Sequence, residues 1–195
     1  MRVTRILPHK KVYSSNAYFI RGDYNAMEDS NTLIDTGSDE CIIDRIEEIY
    51  TGVGKKRVDK IILTHNHFDH TGGIKAIKEK YKAKVFAFAD FNRVDENLKG
   101  GDKIKIGDCT ADIIHVPDHS HDSICILSTE YKAVFTGDIT IIGLHAKKDY
   151  SSEFKNMIKL LYYHDIRMVY PGHGEPFEIS KSFIHHSFSH ILNKL

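Results

Sequence analysis

The run Ile61-Ile62-Leu63-Thr64 leads without a break into His65-Asn66-His67-Phe68-Asp69-His70-Thr71-Gly72-Gly73, so an apolar, strand-like stretch ends in three histidines and an aspartate. Four ligand-type side chains within six positions at a strand end point to a metal site. In an extended chain successive side chains point to opposite sides, which puts His65, His67 and Asp69 on one face and lets His70 turn away. Two ligand pairs then emerge from one loop. His65 with His67 suits one cation and Asp69 with His70 a second, because imidazole and carboxylate both ligate Zn²⁺ or Fe²⁺ well. Gly72-Gly73 are expected to let the backbone turn tightly afterwards.

One loop does not supply enough donors for two cations, and three further stretches offer more. Ile113-Ile114-His115-Val116-Pro117-Asp118-His119-Ser120-His121-Asp122-Ser123 is another apolar run ending in a polar, histidine-bearing loop. Val134-Phe135-Thr136-Gly137-Asp138 ends in a single carboxylate, and Met168-Val169-Tyr170-Pro171-Gly172-His173-Gly174 ends in a histidine between glycines. Ligand-type residues at the ends of several strands suggest one rim of a sheet structure.

The ordered set Asp35 (in Leu33-Ile34-Asp35-Thr36-Gly37), His65, His67, Asp69, His70, His119, Asp138 and His173 resembles the metallo-β-lactamase fold superfamily of hydrolases. The resemblance runs from about Asn16-Ala17-Tyr18-Phe19-Ile20 to Gly174. It implies a four-layer αββα sandwich, two mixed β-sheets flanked by helices. It further implies that His65, His67 and His119 hold one metal, that Asp69, His70 and His173 hold another, and that Asp138 bridges both. Asp35 would lie behind them and orient the site. The family's third motif usually reads Pro-Gly-His-Thr-Pro-Gly-Ser, whereas this chain has Pro117-Asp118-His119-Ser120-His121-Asp122-Ser123. Asp118 and His121 are therefore extra ionisable groups, available to substrate or to local turn hydrogen bonds.

With 195 residues the chain is expected to form one domain, residues 1–195. Its 27 basic and 27 acidic residues balance, so there is no electrostatic footprint for nucleic acid or an anionic membrane. Cys41, Cys109 and Cys125 are odd in number and widely spaced, which suits reduced, cytoplasmic thiols better than a disulfide framework. The amino-terminal residues Met1 to His9 lack the apolar core of a signal peptide, and no stretch approaches membrane-spanning length. The partner expected is a small-molecule substrate; oligomeric state is not legible.

Periodicity predicts strands near Arg2 to Leu7, Ala17 to Arg21 and Thr32 to Asp35 as an early antiparallel layer. A helix capped by Ser38 follows over Ser38 to Tyr50, then a strand over Asp59 to Thr64. Helix over Gly73 to Tyr81, strand over Lys84 to Ala89, a hairpin around Gly107-Asp108, strands over Ile124 to Ser128 and Ala133 to Thr136, and helix over Ser152 to Tyr163 complete the pattern. Ser182 to Leu192 reads as a docking helix whose histidines, His185, His186 and His190, form a solvated face.

A dinuclear site of this type lowers the pKa of its water to about 7, so a metal-bound hydroxide is the expected nucleophile on an activated acyl compound. Two divalent ions are expected, zinc first, with iron or manganese as alternatives. Asp69 is the expected catalytic residue, orienting the nucleophile or carrying its proton. Within the superfamily the motifs look most like the glyoxalase II branch, which cleaves hydroxyacyl-glutathione thioesters, although too little chain follows Gly174 for that branch's C-terminal helical domain. A compact thioesterase-like hydrolase is the first expectation and a lactone hydrolase the nearest rival. Persulfide dioxygenases share the motifs and would use one iron on His65, His119 and Asp138. His145, Lys147 and His121 are the candidates for binding the substrate's polar end.

Overall fold

Strand residues alternate between two buried environments, and that alternation builds the layers. The computed structural model describes residues 1–7, 12–142 and 150–192. Its first six-stranded sheet has the order β1 (Arg2–Ile6), β2 (Ala17–Arg21), β3 (Thr32–Ile34), β4 (Lys60–Ile62), β5 (Lys84–Ala87), β6 (Glu96–Asn97). The first three strands pair antiparallel and the rest parallel. In the second six-stranded sheet β7 (Lys103–Ile106), β8 (Cys109–His115), β9 (Ile124–Ser128) and β10 (Ala133–Gly137) are antiparallel. There β10 pairs parallel with β11 (Met168–Pro171), which is closed by a short antiparallel β12 (Phe177–Glu178).

Between the sheets lie Tyr18, Ile20, Ile34, Ile62, Ile113, Ile126 and Phe135. Their neighbours Phe19, Leu33 and Ile61 point the other way, onto a cluster with Ile46 of α1 (Ile42–Glu47) and Ile74 and Ile77 of α3 (Ile74–Tyr81). On the far side Leu127 and Val134 pack with Phe154, Ile158 and Leu161 of α4 (Ser152–Tyr163) and Ile184 and Phe188 of α5 (Lys181–Leu192). Three apolar layers between four layers of secondary structure give the αββα sandwich. Ser151 caps α4 by accepting from the Phe154 amide, and His185, His186 and His190 lie exposed on α5. Among the described residues no helix is long and apolar enough to cross a membrane.

Three local expectations are corrected. Ser38 caps no helix: its hydroxyl donates to the Tyr13 carbonyl, and α1 begins only at Ile42, with Cys41 before it. Nor is the histidine loop extended throughout, because Phe68–Thr71 forms a helical turn, α2, that projects Asp69 and His70 from its own backbone. Gly72 and Gly73 adopt ordinary helical φ of −62° and −78°. Close packing demands glycine there: a Cβ on Gly72 would lie 1.9 Å from the Ser38 carbonyl oxygen, and one on Gly73 2.7 Å from that of Thr36.

Candidate metal centre

The ends of β3, β4, β10 and β11, with the loop after β8, meet at one rim. His65 and His67 follow β4, His67 in extended backbone, α2 adds Asp69 and His70, and the β8–β9 loop adds His119. Gly137, at φ +51°, turns the chain so that Asp138 enters the site; a Cβ there would lie 2.5 Å from Thr64 Oγ1. His173 comes from the turn after β11.

Two donor groups result. His67 Nδ1 lies 3.0 Å from His65 Nε2 and 3.1 Å from His119 Nε2, so three imidazole nitrogens converge. In the second group Asp69 Oδ2 lies 3.1 Å from His173 Nε2 and 3.6 Å from His70 Nε2. Asp138 spans them, with Oδ1 3.2 Å from His70 Nε2 and Oδ2 3.6 Å from His119 Nε2 and 3.5 Å from His173 Nε2. The sets His65/His67/His119, Asp69/His70/His173 and His65/His70/Asp138 each bring one donor atom apiece within 4.8 Å of one another.

Charge and hydrogen bonding fit these donors to cations. Asp69 Oδ2, His70 Nε2 and Asp138 Oδ1 are buried without a directed hydrogen bond, a costly arrangement that ligation removes. A Cβ on Gly172 would fall 2.3 Å from Asp138 Oδ1 and 2.8 Å from His70 Cε1, so glycine there preserves the space around those atoms. Burial, reinforced by the nearby His70, depresses the His65 pKa to about 4 and leaves a neutral ring with a free lone pair. Burial alone would also discharge His70, but Asp35 and Asp138 overcome it and drive its pKa up. Burial opposes charge on Asp138 as well, yet His70 holds its carboxyl below the usual range. The field that retains a proton on His70 is one that attracts a cation.

Asp35 sits behind the donors. Its Oδ1 accepts from the Thr64 amide at 2.8 Å, and its Oδ2 accepts from Thr64 Oγ1 at 2.8 Å and faces His70 Nδ1 at 2.8 Å. Its φ of +57° lies in the left-handed region, where Asp and Asn are tolerated.

Ser15, Asn16 and Tyr13, which no motif marks, brace the donor-bearing turns at this rim. The Ser15 amide and hydroxyl both donate to the Asp69 carbonyl, at 3.1 and 2.8 Å. Asn16 Nδ2 reaches the carbonyls of Pro171 and Gly174, both at 2.9 Å, on either side of His173. Tyr13 stacks on His173, ring centroids 5.1 Å apart. A polar Ser14-Ser15-Asn16 run directly before an apolar strand was the available signal.

Beside the donors opens a cavity of about 360 Å³ bordered by His119, Asp138 and His173, with Ile139, Ile141, Ile142 and Phe177 on its apolar side and Glu175 near the mouth. His121 is not part of its lining; it is exposed, and its carbonyl lies 2.8 Å from His115 Nε2. Within the 117–123 turn Ser120 Oγ donates to Asp122 Oδ1 at 2.7 Å, while Asp118 Oδ1 is buried without a hydrogen-bond partner. His145 and Lys147, the other two substrate-binding candidates, lie outside the described residues.

A two-sheet sandwich carrying two His/Asp donor groups at one rim defines the class, and residues 11–177 match the family described as the metallo-beta-lactamase superfamily. The chain belongs to that superfamily. It is 29% identical over 162 residues to the atrochrysone carboxyl ACP thioesterase nsrC of Aspergillus novofumigatus, covering 76% of this chain and 50% of that protein. It is 29% identical over 181 residues to the probable hydroxyacylglutathione hydrolase glo2 of Schizosaccharomyces pombe, covering 88% and 68%. To the hydroxyacylglutathione hydrolase of Rhodopseudomonas palustris strain BisA53 it is 32% identical over 120 residues, covering 58% and 47%. The chain thus spans about half the length of several curated relatives it matches. Among solved structures, ETHE1 from Myxococcus xanthus superposes with a TM-score of 0.72 at 22% identity, covering 99% of this chain and 85% of that one. The BLEG-1 B3 metallo-beta-lactamase follows at 0.66 and 20%, covering 96% and 99%. At such identities these likenesses describe the fold.

Proposed function

We propose that the protein is a dinuclear metal-dependent hydrolase of small thioesters. The observation that carries this reading is the pair of donor groups joined by Asp138, which together offer seven ligating side chains to two cations. His65, His67 and His119 would hold one cation, Asp69, His70 and His173 the other, and Asp138 both. Two divalent ions, zinc first, would supply a water of pKa about 7 and an electrophile for the substrate carbonyl. Curated relatives named as thioesterases and hydroxyacylglutathione hydrolases support the substrate class.

The chain's own groups divide the remaining work. Asp69, whose Oδ2 faces the second donor group, is the carboxylate that would orient the attacking water and receive its proton. Asp35 fixes the proton of His70 on Nδ1 and leaves Nε2 to ligate. The Ile139, Ile141 and Phe177 side of the cavity would take the acyl group and exclude water. A cytoplasmic setting, in keeping with three free cysteines, belongs to the same proposal.

The test is a substrate panel with metal-reconstituted protein: acyl thioesters of increasing apolar length, simple lactones, and a persulfide under an oxygen electrode. Thioester cleavage that continues anaerobically and stops on chelation is expected. Strict dependence on Fe²⁺ with oxygen consumption would replace hydrolysis by oxygenation.

A further inference from the structure

We infer that Tyr13 is a catalytic residue, its phenol donating a hydrogen bond to the anionic oxygen that develops on the substrate's acyl carbon. The role rests on the hydrolase reading above and adds a residue which no motif in the chain identifies. Tyr13 Oη lies 3.3 Å from His173 Nε2, itself 3.1 Å from Asp69 Oδ2 and 3.5 Å from Asp138 Oδ2. The hydroxyl is therefore one hydrogen bond away from the donor cluster. Once His173 Nε2 ligates a cation it has no lone pair left to accept from the phenol. The hydroxyl is then free for another acceptor beside the donor cluster, where Tyr13 is 66% exposed.

The ring is held while the hydroxyl is free to change partner. It stacks on His173 at an interplanar angle of 25°, has Phe68 6.3 Å away, and its backbone carbonyl is fixed by the Ser38 hydroxyl. A donor positioned before the reaction stabilises charge that appears only as the reaction proceeds. In the step served, the water oxygen bonds to the acyl carbon while the carbonyl π electrons move onto its oxygen; the water's proton passes to Asp69. When that oxygen re-forms the carbonyl, the C–S bond breaks, and the thiolate leaves with the bonding pair. Tyr13 keeps its proton throughout and only donates a hydrogen bond.

Tyr13→Phe keeps the stack and removes the donor. Two measurements on metal-loaded protein test it: kcat and KM for a thioester, and the affinity for inorganic phosphate, a tetrahedral anion, by calorimetry. The expected result is a fall in kcat of about 10²-fold with KM little changed. Phosphate binding should weaken about tenfold or more, as for a lost hydrogen bond to a charged group, with metal content unaltered. Equal phosphate affinity in the two proteins, or no phosphate binding by wild type, would overturn the assignment. So would loss of metal in the variant, which would make Tyr13 a support for His173. If wild type cleaves no thioester yet Tyr13→Phe weakens phosphate binding, the contact to an anionic oxygen stands and the thioesterase reading falls.

Discussion

Replacing Asp35 by asparagine isolates one atom's worth of chemistry. Alanine would confound the experiment, because a residue at φ +57° pays a backbone penalty that asparagine largely escapes. The carboxylate satisfies three groups with two acceptor oxygens: the Thr64 amide on Oδ1, and Thr64 Oγ1 and His70 Nδ1 on Oδ2. An amide supplies one acceptor and one donor. If its oxygen stays on the Thr64 amide, its NH₂ group faces His70 Nδ1 and selects the tautomer protonated on Nε2, the atom turned toward Asp69 and Asp138. If it flips, two N–H donors oppose each other in a buried site, at a cost of about 1–3 kcal/mol.

The unflipped outcome would weaken the second cation's hold, whereas the flip keeps an acceptor on His70 Nδ1 and places the cost on the Thr64 turn. Loss of such an outer partner typically lowers metal affinity about 10–100-fold, equivalent to about 1.4–2.8 kcal/mol. Competition against a chromophoric chelator would measure the affinity of each ion, and thermal melting of the metal-free protein would report the fold. A selective loss at the Asp69/His70/His173 group is expected, with the His65/His67/His119 group less affected. A variant that melts earlier yet binds both ions as wild type would refute the tautomer change, showing that an acceptor still faces His70 Nδ1 and that the cost falls on the Thr64 turn.

Other perturbations probe neighbouring links. Asp138→Ala should abolish thioester turnover and reduce bound metal while circular dichroism stays native, because its oxygens reach both donor groups; near-normal turnover would refute the bridging role. Gly172→Ala should cost metal affinity through the 2.3 Å approach to Asp138 Oδ1, and unchanged elemental analysis would mean that the turn gives way. Asn16→Ala removes two side-chain bonds around His173, so stability should fall by about 1–3 kcal/mol in denaturant titration, with weaker binding of the second ion. Cys41 is exposed whereas Cys109 and Cys125 are buried, so native protein should react with a thiol reagent at Cys41 alone. The hydrogen bond and charge of Asp39 raise the Cys41 pKa, which moves its thiolate to higher pH; Asp39→Asn should speed labelling near pH 8, and no change would exclude that contact.

The sequence made legible what depends on neighbours in the chain and hid what depends on distant ones. Strand parity in Ile61-Ile62 follows from two-residue alternation, and the structure sends the two side chains to different core layers as that rule requires. The same rule failed at Asp69 and His70. There the helical turn Phe68–Thr71 sets the directions of both side chains, and the Thr36 amide and hydroxyl hold the His70 carbonyl at 2.8 and 2.9 Å from 34 residues away. Asn16 and Tyr13 were invisible as site residues for a related reason: their partners lie 155, 158 and 160 positions further on, and only the packing of one sheet on the other brings them near. Ser38 looked like a helix cap because a serine before an apolar period usually is one; here the Tyr13 carbonyl has claimed its hydroxyl. Residues that bind the cation must carry ligating atoms, which limits them to a few types and makes them conspicuous in a sequence. Residues that aim those ligands need only a hydrogen bond in the right place, which almost any polar side chain or backbone group can supply. The donor set was therefore readable as a pattern, while the parts that fix its geometry could be found only by tracing where each buried polar group ends.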